Sequence, residues 1–549
     1  MIGTQAWKGI LPKGLIPLGA VLVGAVLFAG GFPNLIWKEG LPLLAWIAYV
    51  PVFWLSYRGR VAGSCFWGAL YGYSAYGLFN YWLSVFHPLA GVIVGIIYLV
   101  FFMILFLLLK VAVILFPQRG YLLHVLLWMS FEYLRTQGFL GYPYGITGYS
   151  QWRLIPLIQI ADICGVWGVS LIVVFPSAWI AAAIVRIEKE KAGGAPWRDG
   201  IKLFWRQERV WGFLWLGALM GTLVYGYTAQ VDYADAPLVR IALIQHNTDP
   251  WRGGIKEYRK NYEVLKRLSD EALKIDPKPD LVVWSETAFV PRIYWHITYR
   301  DDQPSYSLVK ELMDYLSTQE VPFVIGNDDA RKDPAKNPQA DHRVDYNAVM
   351  VFERGTITGV YRKLHLVPFT EHFPYKKQFP LIYEALRNAD THFWEQGDEA
   401  TVFTVKGLSF SSPICFEDTF GYLSRDFVRK GAELIVNLSN DAWSNSLPAQ
   451  MQHLSMAMFR AVENRRAMVR STASGQTCAI DPNGAVIAMA EPFTETQLTV
   501  QVPVITLDSW YTRYGDFLPR WCVAAAVILL ILGIGGSILK HIKKEMPVD

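Results

Sequence analysis

The chain has 549 residues, of which 52% are hydrophobic and only 18% are charged. This composition excludes a disordered or fibrous chain, and the length exceeds what one compact core usually organises. A net charge of +4 gives no indication of nucleic-acid binding, and five cysteines are too few for a disulfide-based scaffold. The 21 tryptophans and 28 tyrosines are typical of aromatic belts at membrane interfaces. The composition therefore predicts a membrane protein that carries a large soluble domain.

Apolar segments of about 20 residues, enough for a helix that crosses a bilayer, fill the N-terminal part of the chain and recur once near the C-terminus. The eight candidate spans are Leu15–Phe32, Leu41–Tyr57, Gly63–Phe86, Leu89–Leu109, Tyr121–Arg135, Trp167–Val185, Val210–Thr228 and Val523–Ile538. The fifth span is short and contains Glu132 and Arg135, which either mark a functional position or form an ion pair at the interface. The sequence thus predicts a polytopic α-helical membrane bundle of about eight spans, with seven in residues 1–232 and one in residues 511–549.

Basic residues in the short loops predict the orientation in the membrane. With the N-terminus inside, most of them face the cytoplasm, including the cluster between Arg186 and Arg209. The opposite side then holds little beyond Lys38 and Arg153 in its short loops. We therefore expect both termini, with a C-terminal tail, in the cytoplasm and the domain at residues 233–510 outside it.

Residues 233–510 combine the patterns of strands and helices. Apolar runs rich in β-branched residues end in polar residues, as buried strands do, at 238–247, 280–286, 321–328 and 432–440. Residues 346–363 have the pattern of a hairpin, and helical patterns cover Lys256–Leu273, Tyr306–Thr318 and Gln450–Asn464. The alternation predicts an α/β domain of layered sheets flanked by helices.

Three reactive side chains stand where strand patterns end. They are Glu286 after DLVVWS, Lys363 after VYR and Cys415 after LSFSSPI. A carboxylate that takes a thiol proton, a thiolate that attacks a carbonyl and an ammonium that stabilises the oxyanion form a nucleophilic set. Spacing alone leaves other interpretations open: a helix cap, a surface lysine, and a cysteine that pairs with Cys478.

Several segments resemble a known family. VVWSETA (282–288), YRKLHLVPFTEHFP (361–374) and ICFED (414–418) resemble, in order and spacing, the three signatures of the nitrilase superfamily. The membrane spans on both sides, together with FEYLR (131–135), NLSNDAW (437–443), QHLSMAMFRAVENRR (452–466) and RSTASGQT (470–477), resemble the apolipoprotein N-acyltransferases of bacterial envelopes. This resemblance implies that residues 233–510 form an extracytoplasmic, nitrilase-like αββα sandwich domain with catalytic function.

The resemblance also implies roles for individual residues. Cys415 would be the nucleophile, Glu286 the general base and Lys363 the residue that stabilises the oxyanion. Supporting or substrate-binding roles would fall to four further residues: Glu371, Glu417, Phe416 and Trp251. The role of Glu371 is open between catalysis and a structural ion pair. Two positions depart from the family pattern, because Phe416 stands where tyrosine is common and Thr370 where glycine is common.

The reaction of the family transfers a fatty acyl group from a phospholipid, through a thioester on the nucleophile, to the α-amine of the diacylglyceryl-cysteine of an apolipoprotein. We expect no metal and no cofactor, since no compact metal-ligand pattern or nucleotide-binding motif is present. The implied location is the inner membrane of a bacterium, with the catalytic domain on the periplasmic side and the protein acting as a monomer. The aromatic and apolar segments 289–299 and 379–386 are candidates for contact with lipid.

Two other functions are compatible with parts of the sequence. A membrane-tethered amidase would use the same triad with water as the acceptor. A transporter or receptor with an extracytoplasmic binding domain would need paired charges or broken helices in mid-bilayer, and the candidate spans show little of either. It would also leave the three superfamily signatures without a role.

Overall fold

The computed structural model describes residues 14–86, 88–249, 251–337, 342–388 and 392–545. They form two compact units. The first, the helical unit, combines the described residues up to Ala229 with Ser446–Ser455 and those from Asp516 onward. The second, the α/β unit, comprises Gln230–Asn445 and Met456–Gly515. Residues Ser446–Ser455 thus belong to the helical unit, although the sequence predicted them within the catalytic domain. The two chain ends predicted to lie in the cytoplasm, residues 1–13 and 546–549, fall outside the described residues.

The helical unit is built of apolar helices. Within the described residues its helices are Leu15–Gly31, Pro42–Ala45, Val50–Ser56, Val61–Phe79, Leu83–Phe86, Pro88–Leu115, Gly120–Leu134, Ile155–Ile158, Ala161–Cys164, Val166–Ala192, Trp197–Thr228 and Phe517–Glu545, with a 3₁₀ helix at Thr147–Gln151. Of these, four contain segments long and apolar enough to cross a membrane: Ala90–Leu115, Val166–Ala192, Trp197–Thr228 and Phe517–Ile542. The prediction of several apolar spanning helices is therefore confirmed, whereas the number eight stays a prediction.

The second predicted span, Leu41–Tyr57, is not one continuous helix. It forms the short helices Pro42–Ala45 and Val50–Ser56, separated by a turn, and each has a proline in its first turn. Proline has no amide hydrogen to donate and its ring clashes with the preceding turn, so it favours the start of a helix over its interior. The sequence pattern identified the apolar character of this segment correctly and its continuity wrongly.

Glu132 and Arg135 are both buried in the helical unit. A carboxylate oxygen of Glu132 accepts a hydrogen bond from the backbone N–H of Thr147 at 3.0 Å. The guanidinium of Arg135 donates to the hydroxyl of Tyr98 and to the carbonyl of Tyr144, both at 2.8 Å. Each charged group therefore connects its helix to a different neighbouring segment, as expected of polar groups that have few alternatives in an apolar interior.

The α/β unit contains two six-stranded sheets. In chain order the strands are β1 (Leu238–Gln245), β2 (Leu281–Trp284), β3 (Phe323–Lys332), β4 (Arg343–Glu353), β5 (Thr356–Arg362), β6 (Val402–Val405), β7 (Leu408–Ser411), β8 (Leu434–Ser439), β9 (Ala467–Thr472), β10 (Cys478–Ile480), β11 (Val486–Met489) and β12 (Thr496–Pro503). The first sheet has the order β12-β1-β2-β3-β4-β5 and the second the order β11-β10-β9-β8-β7-β6. In each sheet three neighbouring strands, β1 to β3 and β7 to β9, are parallel.

Helices complete the α/β unit. They are Ile255–Ala272, Ile293–Tyr299, Gln303–Ser317, Pro380–Asn388, Gly421–Arg429, the C-terminal part of Leu447–Asn464 and Trp510–Tyr514, with 3₁₀ helices at Cys415–Thr419 and Asp441–Ser444. Apolar side chains of Ile255–Ala272 and Gln303–Ser317 form one core with residues of β1 to β4. The two sheets also touch each other, because the hydroxyl of Ser471 on β9 donates to the carbonyls of Ile244 and Val283 at 3.3 and 3.1 Å. The parallel strands place their carboxyl ends at one edge of each sheet, where ligand sites of α/β folds usually lie.

Close backbone packing fixes the end of β2. A Cβ atom at Gly326 on β3 would lie 2.4 Å from the carbonyl oxygen of Ser285 and 2.7 Å from the Cα atom of Glu286. We expect Gly326→Ala to displace this segment and to lower the free energy of unfolding by about 1–3 kcal/mol, the usual cost of overpacking. Urea unfolding of the detergent-solubilised protein, followed by circular dichroism, measures the change. Gly253→Ala is the matched control, since its Cβ would meet only the hydroxyl of Tyr258 at 3.4 Å; equal stability of both variants would contradict the prediction.

Candidate active site

Three chain segments that follow strands deliver the predicted reactive residues. Glu286 lies two residues after β2, Lys363 directly follows β5, and Cys415 lies four residues after β7. The first two strands belong to one sheet and β7 to the other. The exposed fractions of the three residues are 7%, 0% and 9%, so the structure buries all of them.

The ammonium group of Lys363 is the centre of this cluster. Its Nζ atom donates to Oε1 of Glu371 at 2.8 Å and lies 3.5 Å from Oε1 of Glu286. Burial by itself would lower the pKa of Lys363, but the charges of Glu371, Glu286 and the ionised Cys415 outweigh it and raise that pKa well above its ordinary value. Lys363 is therefore a permanent cation beside the thiol, and a neighbouring cation favours the thiolate form.

Glu286 is held by three donors. Besides Lys363, the side-chain amide of Asn347 donates to Oε1 at 2.8 Å and the backbone N–H of Asn440 donates to Oε2 at 2.9 Å. Hydrogen bonds of this kind fix the direction of a carboxylate group. The arrangement suits a general base, which must be ionised and aimed at the proton it takes.

Glu371 closes the loop that begins after Lys363. Its Oε2 atom accepts from the backbone N–H of Val367 at 2.9 Å, while its Oε1 atom accepts from Lys363. Burial raises the pKa of Glu371; the ammonium of Lys363 opposes this effect and the charge of Glu286 adds to it. The segment after the loop is hydrogen-bonded to these two residues as well, since the backbone N–H groups of Trp394 and Gly397 donate to the carbonyls of Glu371 and Lys363, respectively.

Cys415 begins the 3₁₀ helix Cys415–Thr419 with a backbone φ of 48°. A left-handed backbone is rare for residues other than glycine and is concentrated at functional sites. No disulfide joins Cys415 to Cys478, so the alternative that they pair with each other is wrong. Burial raises the pKa of Cys478 to about 12, which leaves that thiol protonated and unreactive.

Glu417 connects the two loops that carry Lys363 and Cys415. Its Oε1 atom accepts from the hydroxyl of Tyr361 and the N–H of Leu364, each at 2.7 Å, and its Oε2 atom accepts from the N–H of Ile414 at 2.7 Å. Burial raises the pKa of Glu417. The side chain thus ties the residue after the lysine to the residue before the cysteine, which is a positioning role.

The other two predicted supporting residues differ in their surroundings. Phe416 is buried, and its ring centroid lies 5.0 Å from that of Phe420 and 5.8 Å from that of His365. Trp251, in contrast, is 65% exposed on the turn before the helix Ile255–Ala272. The substrate-binding roles of both residues stay predictions.

The structure adds polar residues that sequence reasoning did not assign. Asn347 and Asn440 hold Glu286. The fully buried Arg470 on β9 pairs with the buried Asp418 in the 3₁₀ helix Cys415–Thr419. Arg470 also lies 3.6 Å from Asp441. A signal existed for two of them, because an arginine in MVRST and an asparagine in DYNAVMV lie next to apolar residues of their strands, and such residues are seldom buried without a partner.

Segment 289–299, one of the two segments predicted to contact lipid, lies partly in the protein interior. Phe289, Ile293 and Trp295 of segment 289–299 are buried, and the first two belong to the core under β1 to β4. The prediction is therefore wrong for these three side chains, whereas Ile297 and Tyr299 of the same segment are exposed. Composition shows that a segment is apolar but not whether a sheet or a membrane covers it.

Comparison with known families agrees with this architecture. Residues 240–512 match the model of the carbon–nitrogen hydrolase family, so the α/β unit is a nitrilase-like domain. Residues 24–179 match the model of the apolipoprotein N-acyltransferase N-terminal domain. Among solved structures, Nit3 of Saccharomyces cerevisiae, a member of the nitrilase superfamily, is similar at 20% identity and a TM-score of 0.36, over 48% of this chain and 90% of that one.

Full-length relatives narrow the class further. The chain is 43% identical over 528 residues to apolipoprotein N-acyltransferase 1 of Treponema denticola, over 94% of this chain and 96% of that protein. It is 45% identical over 520 residues to apolipoprotein N-acyltransferase 1 of Treponema pallidum, over 92% and 93%. The apolipoprotein N-acyltransferase of Geobacter metallireducens is 33% identical over 535 residues, over 94% and 95%. The chain belongs to the apolipoprotein N-acyltransferase family.

The contacts of Glu417 generate a stability prediction. Glu417→Ala would remove the acceptor of several buried donors, each of which costs about 1–3 kcal/mol when it loses its partner. We expect the free energy of unfolding to fall by about 3 kcal/mol or more, measured by urea unfolding. Glu384→Ala on the exposed helix Pro380–Asn388 is the control and should change stability by less than about 0.5 kcal/mol. A Glu417→Ala protein as stable as the control would show that the bridge contributes nothing.

Proposed function

We propose that this chain transfers a fatty acyl group from a phospholipid to the α-amine of a diacylglyceryl-cysteine on an apolipoprotein, the last step of lipoprotein maturation. The observation that carries the proposal is the buried ammonium of Lys363, which Glu286 and Glu371 share and which interacts electrostatically with the thiol of Cys415. The names of full-length relatives point to the same activity.

In the first half-reaction Glu286 takes the proton of the Cys415 thiol, and the thiolate attacks the ester carbonyl of the phospholipid. The negative charge on the carbonyl oxygen is stabilised by Lys363, whose protonated state its two carboxylate neighbours maintain. The carbon–oxygen bond then breaks, Glu286 returns the proton to the leaving alkoxide, and a lysophospholipid departs. The product is a thioester on Cys415, which separates one difficult transfer into two steps.

In the second half-reaction the α-amine of the acceptor attacks the thioester carbon. Glu286 accepts a proton from the attacking nitrogen, the carbon–sulfur bond breaks, and the thiolate of Cys415 takes the proton back. An N-acylated lipoprotein leaves, and the enzyme returns to its starting state. The two substrates occupy the same thiol in turn, which defines a ping-pong scheme.

The apolar helices of the helical unit are evidence for a location in a membrane. We propose that the chain lies in a bacterial inner membrane with the α/β unit on the periplasmic side and both termini in the cytoplasm, as the basic loop residues indicate. In the α/β unit the helix Pro380–Asn388 buries none of its residues, and Leu381 is 86% exposed, with Phe379 and Ile382 also exposed beside it. Such an apolar exposed surface suits contact with lipid.

An amidase with water as the acceptor is the alternative that would use the same triad of Glu286, Lys363 and Cys415. It needs only an anchor in the membrane. The match of residues 24–179 to a domain specific to the N-acyltransferases favours acyl transfer.

The thioester is the first prediction to test. After incubation with a phospholipid, the intact mass of the purified protein should increase by one fatty acyl group, and hydroxylamine should remove it. Cys415→Ser should abolish this hydroxylamine-labile adduct, whereas Cys478→Ser, which changes a second buried thiol of the same unit, should retain it. A synthetic diacylated lipopeptide should then discharge the acylated wild type.

The opposite result is equally informative. If no lipid forms an adduct while simple amides are hydrolysed, the amidase function replaces acyl transfer. If the Cys478→Ser protein loses the adduct and the Cys415→Ser protein retains it, the nucleophile has been assigned to the wrong thiol.

Orientation in the membrane is tested by cysteine labelling. Lys260→Cys, on an exposed face of the α/β unit, should react with a membrane-impermeant maleimide in intact spheroplasts. Lys191→Cys, near the end of the helix Val166–Ala192, is the matched position on the other side and should react only after lysis. Labelling of Lys191→Cys but not Lys260→Cys in intact spheroplasts would reverse the proposed orientation.

A further inference from the structure

Asn347 on β4 touches both the proposed base and the proposed oxyanion residue. Its side-chain Nδ2 atom donates to Oε1 of Glu286 at 2.8 Å, and its backbone carbonyl accepts from the N–H of Lys363 at 2.8 Å. The residue is 2% exposed and its strand position is fixed by pairing with Asp328 on β3. One residue therefore sets the relative position of Glu286 and Lys363.

The two ends of the Asn347 amide are used unequally. Its Oδ1 atom is buried and has no hydrogen-bond partner among the described residues. A carboxylate can only accept hydrogen bonds, so the amide must turn its nitrogen toward Glu286 and leave its oxygen unsatisfied. A buried polar atom without a partner is unfavourable, and a purely structural asparagine would have no reason to sit this way. The donor to Glu286 is the function that this placement serves.

The donors also divide the two oxygens of Glu286. Asn347 and Lys363 both approach Oε1, whereas Oε2 accepts only from the N–H of Asn440 among the described contacts. A carboxylate oxygen has two lone pairs. The acceptor position that stays open is therefore on Oε2.

We infer that Asn347 is the positioning residue of the general base: it occupies Oε1 of Glu286, so that the proton of the Cys415 thiol is transferred to Oε2. In this step the S–H bond breaks, an O–H bond forms at Oε2, and the electron pair stays on sulfur as the thiolate. The inference rests on the proposed function of Glu286 and Cys415. It adds that a neutral amide, outside the triad, directs the base.

Two substitutions separate this role from a structural one. Asn347→Ala removes the donor and leaves a cavity, while Asn347→Asp keeps the shape but places a second carboxyl group against Glu286. If Asn347 is only structural, we expect the cavity in Asn347→Ala to slow the reaction of Cys415 more than Asn347→Asp does. The positioning role predicts that Asp is worse at neutral pH, because two adjacent carboxyl groups share a proton and the base is then no longer free.

The readout is the alkylation rate of Cys415 by iodoacetamide as a function of pH, followed by peptide mass spectrometry. It needs no lipid. At neutral pH we expect a rate ~100-fold below wild type for Asn347→Asp, at the lower end of the range that general-base assistance contributes, and a smaller loss for Asn347→Ala. The acidic limb of the profile should move to higher pH by about one unit in Asn347→Ala and further in Asn347→Asp. If the Asp protein does not fold, the shift in the Ala protein decides alone.

Asn464→Asp is the matched control. Asn464 is also buried, and its amide donates to the carbonyl of Arg460 at 3.0 Å, in a helix of the same unit. It should leave the acidic limb in place. The inference would be overturned if the acidic limb of the profile lay at the wild-type pH in both Asn347 variants. It would also be overturned if Cys415 were alkylated more slowly at neutral pH in the Ala protein than in the Asp protein. Glu286→Gln tests the proposed base separately from its positioning by Asn347. If the acidic limb of the pH–rate profile is unchanged in that protein, the assignment of Glu286 as the base has failed.

Discussion

A fully buried ammonium group is the constraint on which the site depends. Lys363 is 0% exposed, and a charge in that position is tolerated only when opposite charges and hydrogen bonds compensate it. Removing one partner of such a group typically costs about 3–5 kcal/mol. Glu286 and Glu371 must therefore meet at the end of β5, which requires β2 to end beside it and the following loop to return to it. Three chain segments are fixed by one charge.

The two glutamates have the same chemistry and different surroundings. Glu371 is bonded at 2.8 Å to Lys363 and at 2.9 Å to the backbone of Val367, so both of its oxygens are occupied in holding the lysine and its loop. Glu286 lies farther from Lys363, at 3.5 Å, and takes its support from neutral donors. This difference favours a structural role for Glu371 as counter-ion and leaves Glu286 as the group that can exchange a proton.

Much of this could be predicted from the sequence, because the apolar runs that form β1, β2, β3 and β8 end in polar residues and the three motifs lie at strand ends. The strands β6, β7, β10 and β11 have only three or four residues each and were not predicted. The longer strands β9 and β12 were not predicted either, because both mix polar with apolar residues. Asn347 and Arg470 were not assigned, since their partners are distant in the chain and only the order of the strands within each sheet brings them together. The break between Pro42–Ala45 and Val50–Ser56 was missed because hydropathy averages over a turn.

The same loop carries the counter-ion and the exposed apolar helix. Between Lys363 and Gly397 the chain first supplies Glu371, then forms the helix Pro380–Asn388, and returns to donate to the carbonyl of Lys363. A substrate chain that covers Leu381 would therefore act on the segment that also holds the charge of Lys363. Hydrolysis and acyl transfer use identical chemistry up to the thioester, so the outcome depends on which nucleophile reaches the carbonyl carbon first. In the proposed reaction, contact of this loop with lipid next to the buried ammonium would give an amine delivered on a lipid an advantage over water.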